Sequence, residues 1–259
     1  AIQTITKEYL AVENLKNYAL GRKVISREFL SYLDNFENKL AGSPNKEIPA
    51  MLGKNWIIFT PMEAGIADKD KAVRALETSF NPEYIGEYGP YLSASIKDAV
   101  MTISSGIRAV AEARYGRVNE SLQILNRMKK TFGVYLPGSI CEMSPDYGCY
   151  VQAWTIYSTM VPLVNWYAGI RADGIRKKVT IQPAVPDDFH KFSLENVLVG
   201  DGSVTLHVRR SGNSMEIEIY STLNEWTAEF VLPDGCCILD GETANRLVGS
   251  HQTYKLKKK

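Results

Sequence analysis

The stretch Tyr167-Ala-Gly-Ile-Arg-Ala-Asp-Gly-Ile-Arg-Lys-Lys-Val-Thr-Ile181 divides the chain. Before it, apolar residues recur with the spacing of amphipathic helices; after Asp173-Gly174 they alternate with polar ones. The change near residues 171–180 predicts a helical domain over 1–175 and a β domain over 176–259. The fold class expected is α + β in separate domains.

Working back from that boundary, residues 148–170, 119–132, 91–115, 27–40 and 5–20 read as helices. The clearest is 91–115, where Leu92, Ile96, Ala99, Val100, Ile103, Ile107, Val110 and Ala111 keep the helix period and Gly116 stops it. Asp68 is placed to cap a helix over 69–80, and Ser26 to cap the one over 27–40. Working forward, Val179–Gln182, Val197–Val199, Ser203–Val208, Ser214–Tyr220, Thr227–Leu232 and Thr253–Leu256 read as strands. Gly200-Asp-Gly202, Ser211-Gly-Asn213 and Pro233-Asp-Gly235 separate several of them as turns. Short strands at this spacing suggest a small antiparallel β-sandwich. About 80 residues is little for an independent core, so the sandwich is expected to lean on the helices.

The chain has 259 residues, 45% of them hydrophobic and 23% charged, with a formal net charge of +1. That balance supports a real core and argues against a nucleic-acid partner. The basic tail Lys255–Lys259 is short and terminal. Residues 147–170 hold no charge and could span a bilayer by length. Gln152, Thr155, Ser158, Thr159, Pro162 and Asn165 interrupt them, so a core helix buried on all sides is expected instead, with no membrane contact. Three scattered histidines offer no zinc spacing, and neither metal nor cofactor is expected. Four cysteines cannot scaffold a chain of this length. Cys141 and Cys149 would staple the loop between them if oxidised; four free thiols are the alternative.

The long connections, 41–54, 81–90 and 135–148, concentrate Gly, Pro, Tyr and Glu, and loops of this kind hold sites. The last contains Leu136-Pro-Gly-Ser-Ile-Cys-Glu-Met-Ser-Pro-Asp-Tyr-Gly-Cys-Tyr-Val-Gln-Ala-Trp154. Glu142 can move a proton, Gln152 can bond hydroxyls, and Trp154 can pack on the apolar face of a pyranose. Asp146 and Tyr147 share that loop, while Glu63, Glu87 and Tyr88 are further pocket candidates. Each has a bland alternative: an acid favouring a helix N-terminus for Glu142, core packing for Trp154, a structural hydrogen bond for Glu63, and a solvated turn for Glu87 and Tyr88.

These residues resemble a known group. Cys149-Tyr-Val-Gln-Ala-Trp154 is similar to the last inner helix of the six-hairpin (α/α) toroid glycosidases: glucoamylases, glycogen-debranching amylo-α-1,6-glucosidases and α-L-rhamnosidases. Tyr167-Ala-Gly-Ile-Arg-Ala-Asp173 with Lys178-Val-Thr-Ile-Gln-Pro-Ala-Val-Pro186 resembles their exit from barrel to β-domain. Asn55-Trp…Thr60-Pro-Met-Glu-Ala-Gly-Ile-Ala67 resembles an earlier inner helix. The resemblance covers roughly residues 50–200. It implies an inverting, exo-acting glycoside hydrolase on α-linked oligosaccharides or glycans, with Glu142 as general base. Six hairpins need on the order of 300–400 residues, so the helical part here is expected to be the C-terminal half of a toroid. The general acid would then lie in an N-terminal portion, which, or a second copy, is the expected partner. A non-catalytic carbohydrate-binding or structural module is the alternative.

Overall fold

The structure is a computed structural model that describes residues 55–92, 97, 100–134, 136–144, 148–239, 246–247 and 249–258. The helices expected over 5–20 and 27–40 lie outside the described residues. So do Asp146 and Tyr147.

Five α-helices are described: α1 (Asn55–Glu63), α2 (Lys69–Thr78), α3 (Thr102–Arg114), α4 (Val118–Met128) and α5 (Ala153–Val161). Asp68 caps α2 as expected, its Oδ1 accepting from the Lys71 N–H at 3.1 Å. Gly116, at φ +82°, makes the left-handed turn between α3 and α4.

Two helices start well inside the range that the sequence periodicity predicts. The 91–115 helix begins only at Thr102. Val100–Met101 (β1) pairs instead with Met143–Ser144 (β2), an antiparallel ribbon matching Val100 to Ser144 and Met101 to Met143. Of the periodic apolar run, Val100 therefore lies in a strand, and Ile103, Ile107, Val110 and Ala111 lie in a helix. The 148–170 helix begins at Ala153, and at Pro162 it passes into a π-helical turn, Pro162–Tyr167. Proline lacks the N–H that the regular ladder needs. Nor is α5 buried on all sides. Thr155 and Ser158 are buried, but Trp154, Ile156 and Met160 are exposed. The absence of charge marked a helix whose outer arc is apolar, not one enclosed by the described chain. Among the described residues no helix is long and apolar enough to cross a membrane.

Contacts fix the helix directions. Phe59 and Glu63 of α1 meet Arg108 and Arg114 of α3 respectively. Thr155 of α5 meets Thr102 of α3, and Trp166 beyond α5 meets Arg114. So α1, α3 and α5 run in one direction. The hairpin partner α4 runs back, Ser121 Oγ donating to the Ala109 carbonyl at 2.7 Å. The α3–α5 crossing is close: a Cβ on Gly106 would stand 2.4 Å from Ser158 Cα. An ion pair with no solvent access ties α2 to α3. Arg108 donates to Glu112 Oε1 (2.7 Å), Ser79 Oγ (2.8 Å) and the Leu76 carbonyl (2.8 Å).

Two sheets follow. One has the order β10-β8-β4-β3, from β3 (Ile170–Asp173), β4 (Lys178–Ile181), β8 (Thr227–Phe230) and β10 (Arg246–Leu247). The other has the order β5-β6-β7-β11-β9, from β5 (Lys191–Val199), β6 (Gly202–Ser211), β7 (Ser214–Ser221), β9 (Cys236–Ile238) and β11 (His251–Lys258). Alternation puts Val204, Leu206 and Val208 of β6, Ile217 and Ile219 of β7, and Tyr254 and Leu256 of β11 in one core. The sheets meet across it, with Phe230 stacked on Tyr254 at 3.9 Å between centroids. The expectation of an all-antiparallel sandwich is corrected at one pair: β4 and β8 are parallel. The long connection between them builds β5–β7 in the other sheet before returning, which allows it. β3, β9 and β10 are strands that the alternation did not reveal, being short.

The helices and sheets are joined by named bonds. The buried Tyr167 hydroxyl meets Ser121 Oγ at 2.9 Å, and Asn119 both donates to Asp187 Oδ2 and accepts from its N–H. At the exit, Gly169 has φ +67°, and a Cβ there would lie 1.9 Å from the Gln182 carbonyl oxygen. Only glycine fits that turn.

Candidate active site

Glu142 opens the loop that leads into α5, and its backbone is clamped on both sides. Its N–H donates to the Cys149 carbonyl (2.8 Å), closing the loop on itself. Its carbonyl accepts from the Thr102 N–H (2.9 Å), the first residue of α3. Thr102 Oγ1 lies 3.1 Å from the Cys141 carbonyl oxygen and 3.0 Å from Thr155 Oγ1, and Ser158 Oγ donates to the Thr102 carbonyl at 2.9 Å. The starts of α3 and α5 and the Glu142 loop are thus one hydrogen-bonded unit. The carboxylate is half-buried, and its Oε2 accepts from the Cys149 N–H at 3.2 Å. Gly148, at φ +84°, lets the chain pass this close, since a Cβ there would stand 3.0 Å from Glu142 Oε2. No disulfide forms among the described cysteines; Cys141 is buried and Cys149 exposed.

Two polar atoms within ten residues of Glu142 along the chain are buried without a hydrogen-bond partner among the described residues: Gln152 Oε1 and Ser144 Oγ. Gln152 is the residue before α5, and Ser144 follows Glu142 on β2. Buried polar atoms are seldom left alone, and each one calls for an explanation. Trp154, in the first turn of α5, is 53% exposed, so core packing does not describe it.

The remaining candidates divide. Gly89 packs on Ser105 and Val100, which sets the loop of Glu87 and Tyr88 beside the β1–β2 ribbon. Within it Tyr88 is half-buried, while exposed Glu87 pairs with Lys130 at 3.4 Å. Glu63 lies elsewhere. It ends α1 beside Arg114, twelve residues along α3 from Thr102, or about 18 Å by helix rise. Its Oε1 accepts from the Tyr157 hydroxyl of α5. Burial first, and then Glu63, raises the Tyr157 pKa well above the usual phenol range. Ser144 and Thr102 are site neighbours that sequence reasoning missed. Single hydroxyls give no pattern.

A cleft of about 540 Å3 lies elsewhere, between the helices and the sheets. Arg114, Trp166, Arg171, Gln182 and Asp187 are among its walls, and Glu142, Gln152 and Trp154 are not.

No family model and no curated protein matches the sequence. Among solved structures, an α-L-rhamnosidase from Dictyoglumus thermophilum is similar over 96% of this chain, with a TM-score of 0.51 and 13% identity. The two share a fold. The chain spans 31% of that enzyme's length. A kojibiose phosphorylase from the human microbiome aligns more loosely, over 77% of this chain and 22% of its own, with a TM-score of 0.41 and 8% identity.

Proposed function

We propose that the chain is the C-terminal portion of an inverting, exo-acting glycoside hydrolase, acting on α-linked oligosaccharides or glycans, with Glu142 as general base. The helices α1, α3 and α5 are its inner helices, three of the six in an (α/α) toroid, and the sandwich follows the last of them. The fold shared with a segment of an α-L-rhamnosidase supports the architecture. One observation carries the chemistry. Glu142 is fixed at the common end of α3 and α5, in the segment that also carries two buried polar atoms that no described residue satisfies.

In this mechanism the Glu142 carboxylate takes a proton from a water, whose oxygen attacks the anomeric carbon opposite the departing oxygen. A carboxylic acid across the pocket protonates that departing oxygen. Inversion requires the two carboxyls ~6.5–9.5 Å apart, leaving room for the water. Gln152 and Ser144 bond sugar hydroxyls, and the exposed indole of Trp154 receives an apolar sugar face. The Glu87–Tyr88 loop forms the neighbouring rim. The acid comes from an upstream helical half, which also covers Ile156 and Met160.

The test is Glu142→Gln in the complete polypeptide that contains this chain, with release of reducing sugar as the readout. The expected loss in kcat is at least about 10²-fold, the scale for a positioned base. A kcat within about threefold of wild type removes Glu142 from the mechanism.

A further inference from the structure

The cleft between helices and sheets holds a charge pattern that the proposed chemistry does not use. The guanidinium carbons of Arg114 and Arg171 each lie 5.3 Å from the Trp166 ring centroid. Every hydrogen bond described for these two side chains goes to a neutral acceptor. Arg114 donates to the Glu63 carbonyl at 3.0 Å. Arg171 donates to the Asn165 carbonyl at 3.2 Å and to Gln182 Oε1 at 2.8 Å. Among the described residues neither arginine has a carboxylate partner. Glu63 offers Arg114 its carbonyl while its carboxylate binds Tyr157.

The contrast across the same cleft is direct. Arg210 and Lys258 both pair with Asp187, at 2.6 and 3.2 Å. Two neighbouring cations without a counter-ion repel each other, and half-burial of Arg171 adds a desolvation cost. Burial first, and then Arg114, lowers the Arg171 pKa. Arg114 is nonetheless held in place, its guanidinium lying where a Cβ on Gly65 would be. Gly65 has φ +73°. Fixed, fork-shaped donors of this kind match carboxylate and phosphate oxygens.

We propose that Arg114, Arg171 and Trp166 form a binding site for a small organic anion, a carboxylate or a phosphate ester, whose uncharged body lies in the cleft. The site stands about 18 Å from the Glu142 end of α3, by helix rise. It is therefore separate from the proposed hydrolytic centre and does not rest on it. Gln182 holds the Arg171 guanidinium through its Oε1, and Pro183 and Pro233 supply apolar wall.

Isothermal titration of the purified full chain with inorganic phosphate, glucose 6-phosphate and glucuronate, against glucose as the neutral control, tests the proposal. At least one anion should bind with a Kd below about 5 mM, and glucose should not. Arg114→Gln and Arg171→Gln should each weaken binding by about tenfold or more. Arg209→Gln, which removes an exposed arginine paired with Glu216, should change nothing. Phosphate and glucuronate distinguish the two oxyanion sources. Circular dichroism checks that each variant is folded, and Arg114, on an exposed helix end, is the variant to rely on if Arg171→Gln unfolds. Binding unchanged in Arg114→Gln, equal binding of glucose, or no heat from any anion overturns the proposal. Glu142→Gln should leave anion binding intact, so this site and the hydrolytic one fail independently.

Discussion

Replacing Arg108 by Met should be among the most damaging single changes in the helical part. The side chain has no solvent access, and its guanidinium makes three hydrogen bonds of 2.7–2.8 Å across α2 and α3. It also lies 4.1 Å from the Phe59 centroid. Met fills most of the volume but takes a donor away from Ser79 Oγ and the Leu76 carbonyl, which keep weaker local partners, and strands one oxygen of the equally buried Glu112. Arg117, at 2.6 Å from Glu112 Oε2, compensates the remaining charge only in part. Removing one member of a buried pair costs about 3–5 kcal/mol. Loss of the cation–π contact adds about 1 kcal/mol. Urea unfolding followed by far-ultraviolet circular dichroism measures it, and the midpoint should fall steeply with little change in slope. The double variant Arg108→Met/Glu112→Leu removes both charges and should regain at least half of the loss, because an apolar pair needs no compensation. A single variant within about 1 kcal/mol of wild type would show that Glu112 is neutralised some other way, and would refute the reasoning.

Gly169→Ala forces a Cβ onto the Gln182 carbonyl at a positive φ, so a loss of about 2–4 kcal/mol is expected in thermal or urea unfolding. Burial is the first cause that raises the pKa of both Tyr157 and Tyr167, and Glu63 adds to it at Tyr157. A raised folded-state value means that the stabilisation is complete below the unfolded phenol pKa of about 10 and is lost as pH rises through the folded value. Alkaline titration of phenolate absorbance should therefore leave these two tyrosines silent until the chain unfolds, and Tyr157→Phe should extend stability at high pH. The exposed apolar arc of α5 should make the chain, expressed alone, bind a hydrophobic dye or self-associate. Trp154→Ser with Ile156→Ser should reduce both effects, and a dye-silent monomer would argue against a missing partner.

The helix-to-sheet change at Tyr167–Ile181 was legible because a switch of hydrophobic period reports directly on which face is buried. The Asp68 cap and the Gly116 turn were legible for local reasons of the same kind. The starts of α3 and α5 were not. β1 exists only because Met143–Ser144 comes to lie against it, and no local pattern encodes a partner some forty residues away. The parallel β4–β8 pair is non-local in the same way. At the candidate site, the sequence offers Glu142, Gln152 and Trp154 as candidates within one short segment. The clamp on Glu142 by Thr102, and the orphaned Ser144 and Gln152 atoms, needed the packing of α3 against α5. The Arg108–Glu112 pair was hidden because two charges at i and i+4 read equally well as a solvated helix face.

The most direct test of the account is the product that Glu142→Ala forms in the complete polypeptide when azide is supplied. A small anion can take the place left by the side chain and attack the anomeric carbon without a base. Activity on an aryl α-glycoside should be at least about 10²-fold below wild type, and azide should restore it. The product, followed by proton NMR, should be the glycosyl azide of inverted, β configuration. Undiminished activity without azide, or a rescued product that keeps the α configuration, would contradict Glu142 as the base of an inverting glycosidase.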